Sequence, residues 1–368
     1  MMNSALDVAC LTVRLGALRE NYSTCRRLSG SAVAAGVVKA DAYGTGMPAA
    51  AHALRDAHCD TFFVARLSEG VALRPIVPNA RIFVLDGAQR DTVPALLSSR
   101  LTPVLNSLAQ IDAWSVAARE RNAPLEAAIH LDTGMNRLGL PAYETAELIA
   151  NAPNLLKPIQ ISLIMSHLAC AEDPAAAMNA IQLERFRTAL SSLPSAPASL
   201  SSSGGILLGR DFAFDMVRPG VALYGGNPQP GKPNHFKPVA TLSARILQLR
   251  RVDKGEGVGY GATFRAGRSS TLATVALGYA DGLMRAIGNR GVAAIASVRV
   301  PVVGRVSMDL VTLDVTDVPE SSLAVGAEVE FLGDTISLEE FAAAAQTASY
   351  EILTSLGTRA PRRYVEIS

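Results

Sequence analysis

The sequence predicts an N-terminal (β/α)8 barrel followed by a mostly β C-terminal domain. Three observations predict it: short apolar runs alternate with helical stretches through the first two-thirds, the texture changes after Phe236, and polar residues recur just beyond the apolar runs. The chain of 368 residues exceeds one typical domain, so two domains are expected, with the barrel at 1–235 and the β domain at 236–368. Residues 1–15 are expected to join the β domain.

The barrel strands read as Val33–Val38, Thr61–Ala65, Arg81–Leu85, Leu101–Leu105, Glu126–Leu131, Ile159–Met165, Ala198–Ser201 and Phe214–Val217. Each is short and rich in apolar or β-branched residues, as buried parallel strands require. Between them, Leu108–Arg121 and Ala175–Leu193 carry apolar residues at helical spacing. Periodicity does not close a sheet, so a doubly wound open sheet stays as the alternative. Asn227–His235, with three prolines and Gly231, suits a boundary. Beyond it Val239–Leu249, Ser270–Leu277, Val292–Ala296, Val298–Val303, Val311–Val315 and Ala327–Leu332 read as strands, and Leu338–Thr347 as a helix.

Composition narrows the function classes. Lys+Arg 34 against Asp+Glu 33 leaves no basic stripe for nucleic acid and no acidic arm. Cys10, Cys25, Cys59 and Cys170 have neither disulfide-framework nor metal-ligand spacing, so reduced thiols and a cytoplasmic protein are expected, with no metal. No apolar run is long enough to cross a membrane, and no secretory signal is expected at the N-terminus.

In a barrel, chemistry collects at the C-terminal ends of the strands, where the βα loops lie. Lys39 follows the first strand, His130 and Asp132 close the fifth, and His167, Ser203 and Arg218 follow the sixth to eighth. A lysine held at the end of an apolar strand is partly desolvated, which frees its amine to attack a carbonyl. By itself Lys39 is better explained as a side chain reaching for solvent. Ser201-Ser202-Ser203-Gly204-Gly205 and Arg218-Pro219-Gly220-Val221 offer small residues whose backbone N–H groups can approach a phosphate, although each alone also suits an ordinary turn. Gly257-Val258-Gly259-Tyr260-Gly261 lacks dinucleotide spacing; its glycines are better placed to aim the phenol of Tyr260.

Seven stretches in order resemble the alanine racemase family over nearly the whole chain. They are Val38-Lys39-Ala40-Asp41-Ala42-Tyr43-Gly44, Asp132-Thr133-Gly134-Met135-Asn136-Arg137-Leu138-Gly139, Ser166-His167-Leu168-Ala169, Val217-Arg218-Pro219-Gly220-Val221-Ala222-Leu223-Tyr224-Gly225, Gly259-Tyr260-Gly261-Ala262-Thr263, Gly278-Tyr279-Ala280-Asp281-Gly282 and Gly304-Arg305-Val306-Ser307-Met308-Asp309. The resemblance implies a pyridoxal-phosphate enzyme that interconverts L- and D-alanine, supplies D-alanine for peptidoglycan, and works as a head-to-tail homodimer with shared sites.

It also implies roles. Lys39 would carry the cofactor and, once released, serve the D-isomer; Tyr260 would serve the L-isomer. Tyr43, Ser203, Gly220 and Val221 would hold the phosphate, and Arg218 the pyridine nitrogen. Arg137 would contact the cofactor's phenolic oxygen near the substrate carboxylate, and the backbone N–H of Met308 would point toward that carboxylate. His167 would support Tyr260 and the ring, and positive charge relayed through His167 and nearby arginines would assist Tyr260, because an unassisted phenol holds its proton. Tyr260, Tyr279 and Met308 would come from the partner subunit, with Asp309 among the supporting residues.

Three positions depart from the family pattern. His130 stands where a carbamylated lysine is common and cannot supply its negative charge, so Arg137 must be oriented otherwise. Thr358 takes the place of a tyrosine, which suggests room for a larger substrate such as serine, and Ser202 the place of an asparagine. The remaining alternatives are a serine or broad-specificity racemase, a decarboxylase on the same scaffold, and a non-catalytic pyridoxal-phosphate carrier. Arg218 argues against the decarboxylase, where an acidic residue faces the pyridine nitrogen; the β domain argues against the carrier.

Overall fold

The computed structural model describes residues 8–367. Seven strands form one parallel sheet in chain order: Gly36–Val37, Thr61–Val64, Arg81–Val84, Thr102–Leu105, Leu125–His130, Ile159–Met165 and Ala198–Ser199. The eighth, Met216–Val217, closes the ring. It pairs in parallel with Val33–Ala34, immediately before Gly36, and on its other side Asp215 donates its N–H to the Ala198 carbonyl at 3.0 Å. A bridge between Ser202 and Arg218 continues that seam. The open-sheet alternative is thereby excluded.

The strands match expectation to within a few residues. Thr61–Val64 and Thr102–Leu105 are buried at every position, because a parallel sheet wrapped in helices has no wet face. Phe63 and Phe83 stack inside the barrel with centroids 4.7 Å apart. Helices end where the sequence signals it. Ser107 caps Leu108–Glu120 by accepting the Gln110 N–H at 3.3 Å, Pro48 sits in the first turn of Met47–Asp56, and Gly30 at φ 67° stops Leu15–Ser29.

The second sheet is built on one long strand, Ala240–Val252. It pairs antiparallel with Ala9–Arg14, with Glu328–Leu332 and, past a bulge near residue 247, with Ser270–Val275. Ala9–Arg14 also pairs in parallel with Arg362–Val365, so the start and end of the described chain lie side by side. Of the segment 1–15 assigned to the β domain, residues 1–7 lie outside the described residues. Among the elements the sequence reading did not name are the strands Ala9–Arg14 and Arg362–Val365, and the helix Ser349–Ser355. All are short, and their apolar residues are too few to show a period.

Candidate active site

A cavity of about 600 Å³ opens at the C-terminal ends of the barrel strands. Lys39, Tyr43, His130, Arg137, His167, Ser203, Arg218, Gly220 and Val221 all line it, as the sequence anticipates. Tyr260, Tyr279, Met308, Asp309 and Thr358 do not. Tyr350 and Thr354, from the unanticipated helix Ser349–Ser355, do.

At one end of the cavity, Ser203 Oγ accepts the N–H groups of Gly220 and Ala222 at 2.8 and 3.2 Å. A Cβ on Gly220 would sit 2.2 Å from the Tyr43 hydroxyl, so only glycine lets the phenol and the loop backbone come together. Tyr43 cannot retreat, being buried and stacked on Tyr224 at 4.7 Å. Hydroxyls and backbone N–H groups converging on one spot are what a phosphate needs.

Arg218 is buried, with no ion-pair partner among the described residues. Its guanidinium donates to Ser199 Oγ and to the carbonyls of Ser166 (2.5 Å) and Leu200 (3.4 Å). Burial pushes its pKa down to about 9, which still leaves it protonated at neutral pH. A buried cation without a carboxylate suits a site whose ligand brings its own acceptors. Together, the lysine, the phosphate cradle and this donor fit pyridoxal phosphate.

The Lys39 amine is pushed down, chiefly by burial and then by Arg137, while Glu69 partly offsets this. Arg137 sits on a loop that Asp132 organises: Asp132 Oδ1 accepts the N–H groups of Gly134, Met135 and Asn136 at 2.9, 2.9 and 3.1 Å. Arg137 makes no ion pair among the described residues, so its charge is available to a carboxylate in the cavity.

The sequence missed what fixes the histidines. Asn106 spends its amide N–H groups on the carbonyls of Leu85 (2.9 Å) and Val104 (2.8 Å), so its Oδ1 must accept from His130 Nδ1 at 2.8 Å. That leaves His130 Nε2 bare, a neutral acceptor in place of an anion. Burial, and next Arg218, hold the His130 pKa at about 3. The loop of His167 is pinned by buried Gln182, which donates to the His167 carbonyl at 2.9 Å and accepts the Ala169 N–H at 2.8 Å. Burial and the neighbouring Arg218 and Arg137 push His167 well below its usual range. This disfavours a positive charge on His167 itself.

A pH dependence of stability follows. Both histidines have folded pKa values below the ordinary 6.5, so in acid the unfolded chain binds protons that the folded chain refuses. Their contribution is complete above pH 6.5 and is lost as the pH falls toward the folded values. Lowering the pH from 7 to 5.5 is expected to cost on the order of 1 kcal/mol per histidine. Denaturant titrations at the two pH values test this: His130→Asn should remove about half of the two-histidine loss, and an unchanged loss refutes it.

The absent residues gather elsewhere. Tyr260 (71% exposed), Tyr279 (44%), Met308 (54%) and Leu310 (38%) stand on the surface of the β domain. The Tyr279 and Ala280 N–H groups donate to the carbonyls of Ser307 and Met308 at 3.0 and 2.9 Å, which ties two of the sequence stretches together. Arg359 bridges Asp281 (3.3 Å) and Asp309 (2.6 Å), and Thr358 is exposed beside it. Thr358 therefore enlarges no wall of its own chain's cavity. A Cβ on Gly261 would lie 3.0 Å from the Arg305 guanidinium, so Arg305 packs along the loop that carries Tyr260.

The chain matches two family models, alanine racemase N-terminal domain over residues 13–228 and alanine racemase C-terminal domain over 239–364. It is 46% identical to a catabolic alanine racemase of Agrobacterium fabrum, over 97% of this chain and 92% of that one. It is 47% identical to an alanine racemase of Rhodospirillum rubrum, over 97% and 96%. Among solved structures, an alanine racemase from Bartonella henselae with covalently bound pyridoxal phosphate superposes with a TM-score of 0.93 and 39% identity, over 97% and 99% of the two chains. A biosynthetic alanine racemase from Pseudomonas aeruginosa gives 0.91 and 34%, over 98% and 100%.

Proposed function

The chain belongs to the alanine racemase family, and from this premise we propose that it interconverts L- and D-alanine with Lys39 and Tyr260 as its two acid/base groups. The observation that carries the reading is the meeting of Lys39, the buried cation Arg218 and the cradle of Tyr43, Ser203 and Gly220 in one cavity.

When bound, pyridoxal phosphate supplies the electron sink that lets an amino acid's α-carbon release its proton. Tyr43, Ser203 and the backbone at Gly220 and Val221 would hold the phosphate, and Lys39 would carry the cofactor between turnovers. Arg218 keeps its own proton, so it would only donate to the ring nitrogen and would limit electron withdrawal. Proton return is thereby favoured over competing fates such as transamination. Arg137 anchors the substrate carboxylate, and His130 Nε2 is a neutral acceptor that can hold the guanidinium. Lys39 exchanges the α-proton on one face and Tyr260 on the other.

That second group must come from another copy. Tyr260, Tyr279 and Met308 are absent from their own chain's cavity and form an exposed, partly apolar patch that a partner's cavity mouth can cover. We therefore assign a homodimer with shared sites, each completed by the partner subunit's Tyr260, Tyr279 and Met308. Within its own chain, the Arg305 guanidinium lies beside the loop that carries Tyr260. Among the described residues no helix is long and apolar enough to cross a membrane, and all four cysteines are free. Free cysteines suit a cytoplasmic enzyme, and membership of the family supports a role in supplying D-alanine for peptidoglycan.

The test is a polarimetric or coupled assay over L- and D-alanine, serine, lysine and arginine. Alanine should turn over in both directions and faster than serine. A larger kcat/KM for serine would reassign the substrate, and no turnover of any pair would sink the racemase reading.

A further inference from the structure

Immediately after Lys39 the chain makes a left-handed turn from residues that carry side chains. Ala40, Asp41, Ala42 and Tyr43 have φ of 52°, 53°, 53° and 55°. A left-handed helix costs L-residues about 1–2 kcal/mol each, so such a run persists only where its surroundings enforce it. Within the turn, the Ala42 N–H donates to Val38 at 3.0 Å and the Gly44 N–H to Ala40 at 2.9 Å, while Asp41 Oδ1 accepts the Met47 N–H at 2.7 Å. The Ala40 N–H is satisfied by a side chain from the next βα unit, donating to Glu69 Oε1 at 2.7 Å. The other oxygen of Glu69 accepts the N–H groups of Ala65 and Arg66 at 2.8 and 3.0 Å, just past the strand Thr61–Val64. One carboxylate thus joins two rim loops and meets the residue that follows the lysine.

We propose that Glu69 is a positioning residue for Lys39, clamping the left-handed turn to the adjacent loop and fixing a negative charge beside the amine. The inference rests on the reading of Lys39 as the cofactor lysine. Of the charged groups around Lys39, Arg137 and Arg218 lower its pKa, Glu69 and Asp86 raise it, and His130 and His167 are neutral. Glu69→Gln removes one of the two opposing charges and leaves one acceptor oxygen for N–H groups on two loops. The amine should titrate lower, and the turn should loosen.

The test uses the full-length protein freed of cofactor, exposed to pyridoxal phosphate across pH and reduced with borohydride, with the adduct at Lys39 measured by mass. In Glu69→Gln the midpoint of the acid limb of the trapping rate should move down on the order of half a pH unit. In the reloaded enzyme kcat should fall about tenfold with KM nearly unchanged. Adding Ala40→Gly, which takes the left-handed conformation without strain, should restore most of kcat and leave the midpoint displaced. The double variant also serves if Glu69→Gln alone misfolds. A midpoint that stays put, or a kcat per bound cofactor that does not fall in Glu69→Gln, overturns the role of Glu69 while Lys39 is still trapped in the unaltered protein. Absence of trapping at Lys39 in the unaltered protein overturns the cofactor assignment, and this inference with it.

Discussion

Lys39→Ala is expected to lower racemisation about a thousandfold or more and to remove the visible absorbance of lysine-bound pyridoxal phosphate. Both effects have one origin. The side chain at position 39 is a primary amine at the end of an apolar strand, with its pKa lowered by burial and by Arg137. A free amine can bond to an aldehyde, and a free amine can take up an α-proton; alanine does neither. The cradle of Tyr43, Ser203 and Gly220 remains, so the cofactor should still bind through its phosphate, only more weakly and without the lysine's spectrum. Absorption spectra of the unaltered and variant proteins, with D-alanine formation measured in parallel, decide the matter. An unchanged spectrum refutes Lys39 as the cofactor lysine.

Tyr260→Phe is expected to spare the spectrum and cut racemisation on the order of 100-fold. The two faces should respond differently. Solvent deuterium should still enter D-alanine, where Lys39 is the base, and should stop entering L-alanine. Because Tyr260 is 71% exposed in its own chain and lies off that chain's cavity, the loss should be complemented between subunits. Mixing Lys39→Ala and Tyr260→Phe proteins pairs one intact lysine with one intact tyrosine in each hybrid dimer. A 1:1 mixture that exchanges subunits should recover about a quarter of the unaltered activity. No recovery after verified exchange would place the tyrosine in its own chain's site and defeat the shared-site assignment.

Much of the cavity was legible because a barrel converts chain order into geometry. Once strands were located by their apolar runs, residues just past them had to share one rim. Lys39, His130, His167, Ser203 and Arg218 meet there although up to 179 positions separate them. The cradle was legible for a related reason: Gly220 is required wherever backbone must approach another group closely, and Tyr43 occupies the space its side chain would fill. Buried hydrogen-bond partners were not legible. Asn106, which sets the state of His130, and Gln182, which holds the His167 loop, are single polar residues with no pattern around them. Glu69 lies in the first turn of its own helix, Leu67–Leu73, and only the fold brings the Ala40 N–H within its reach. Tyr350 and Thr354 belong to a helix too short to announce itself.

The sequence by itself determined the alternation of strand and helix, the change to β structure after Phe236, and the identity of the amine, the phenol and the arginines. Those are local properties, set by which residues are apolar and at what spacing. Only the tertiary structure decided that the sheet closes, that His130 and His167 are neutral, and that Tyr260 stands apart from the cavity of its own chain. Each depends on what neighbours a group once the chain is folded: burial far from water strips histidine of its proton, and a rigid β domain carries the tyrosine away from its own chain's lysine.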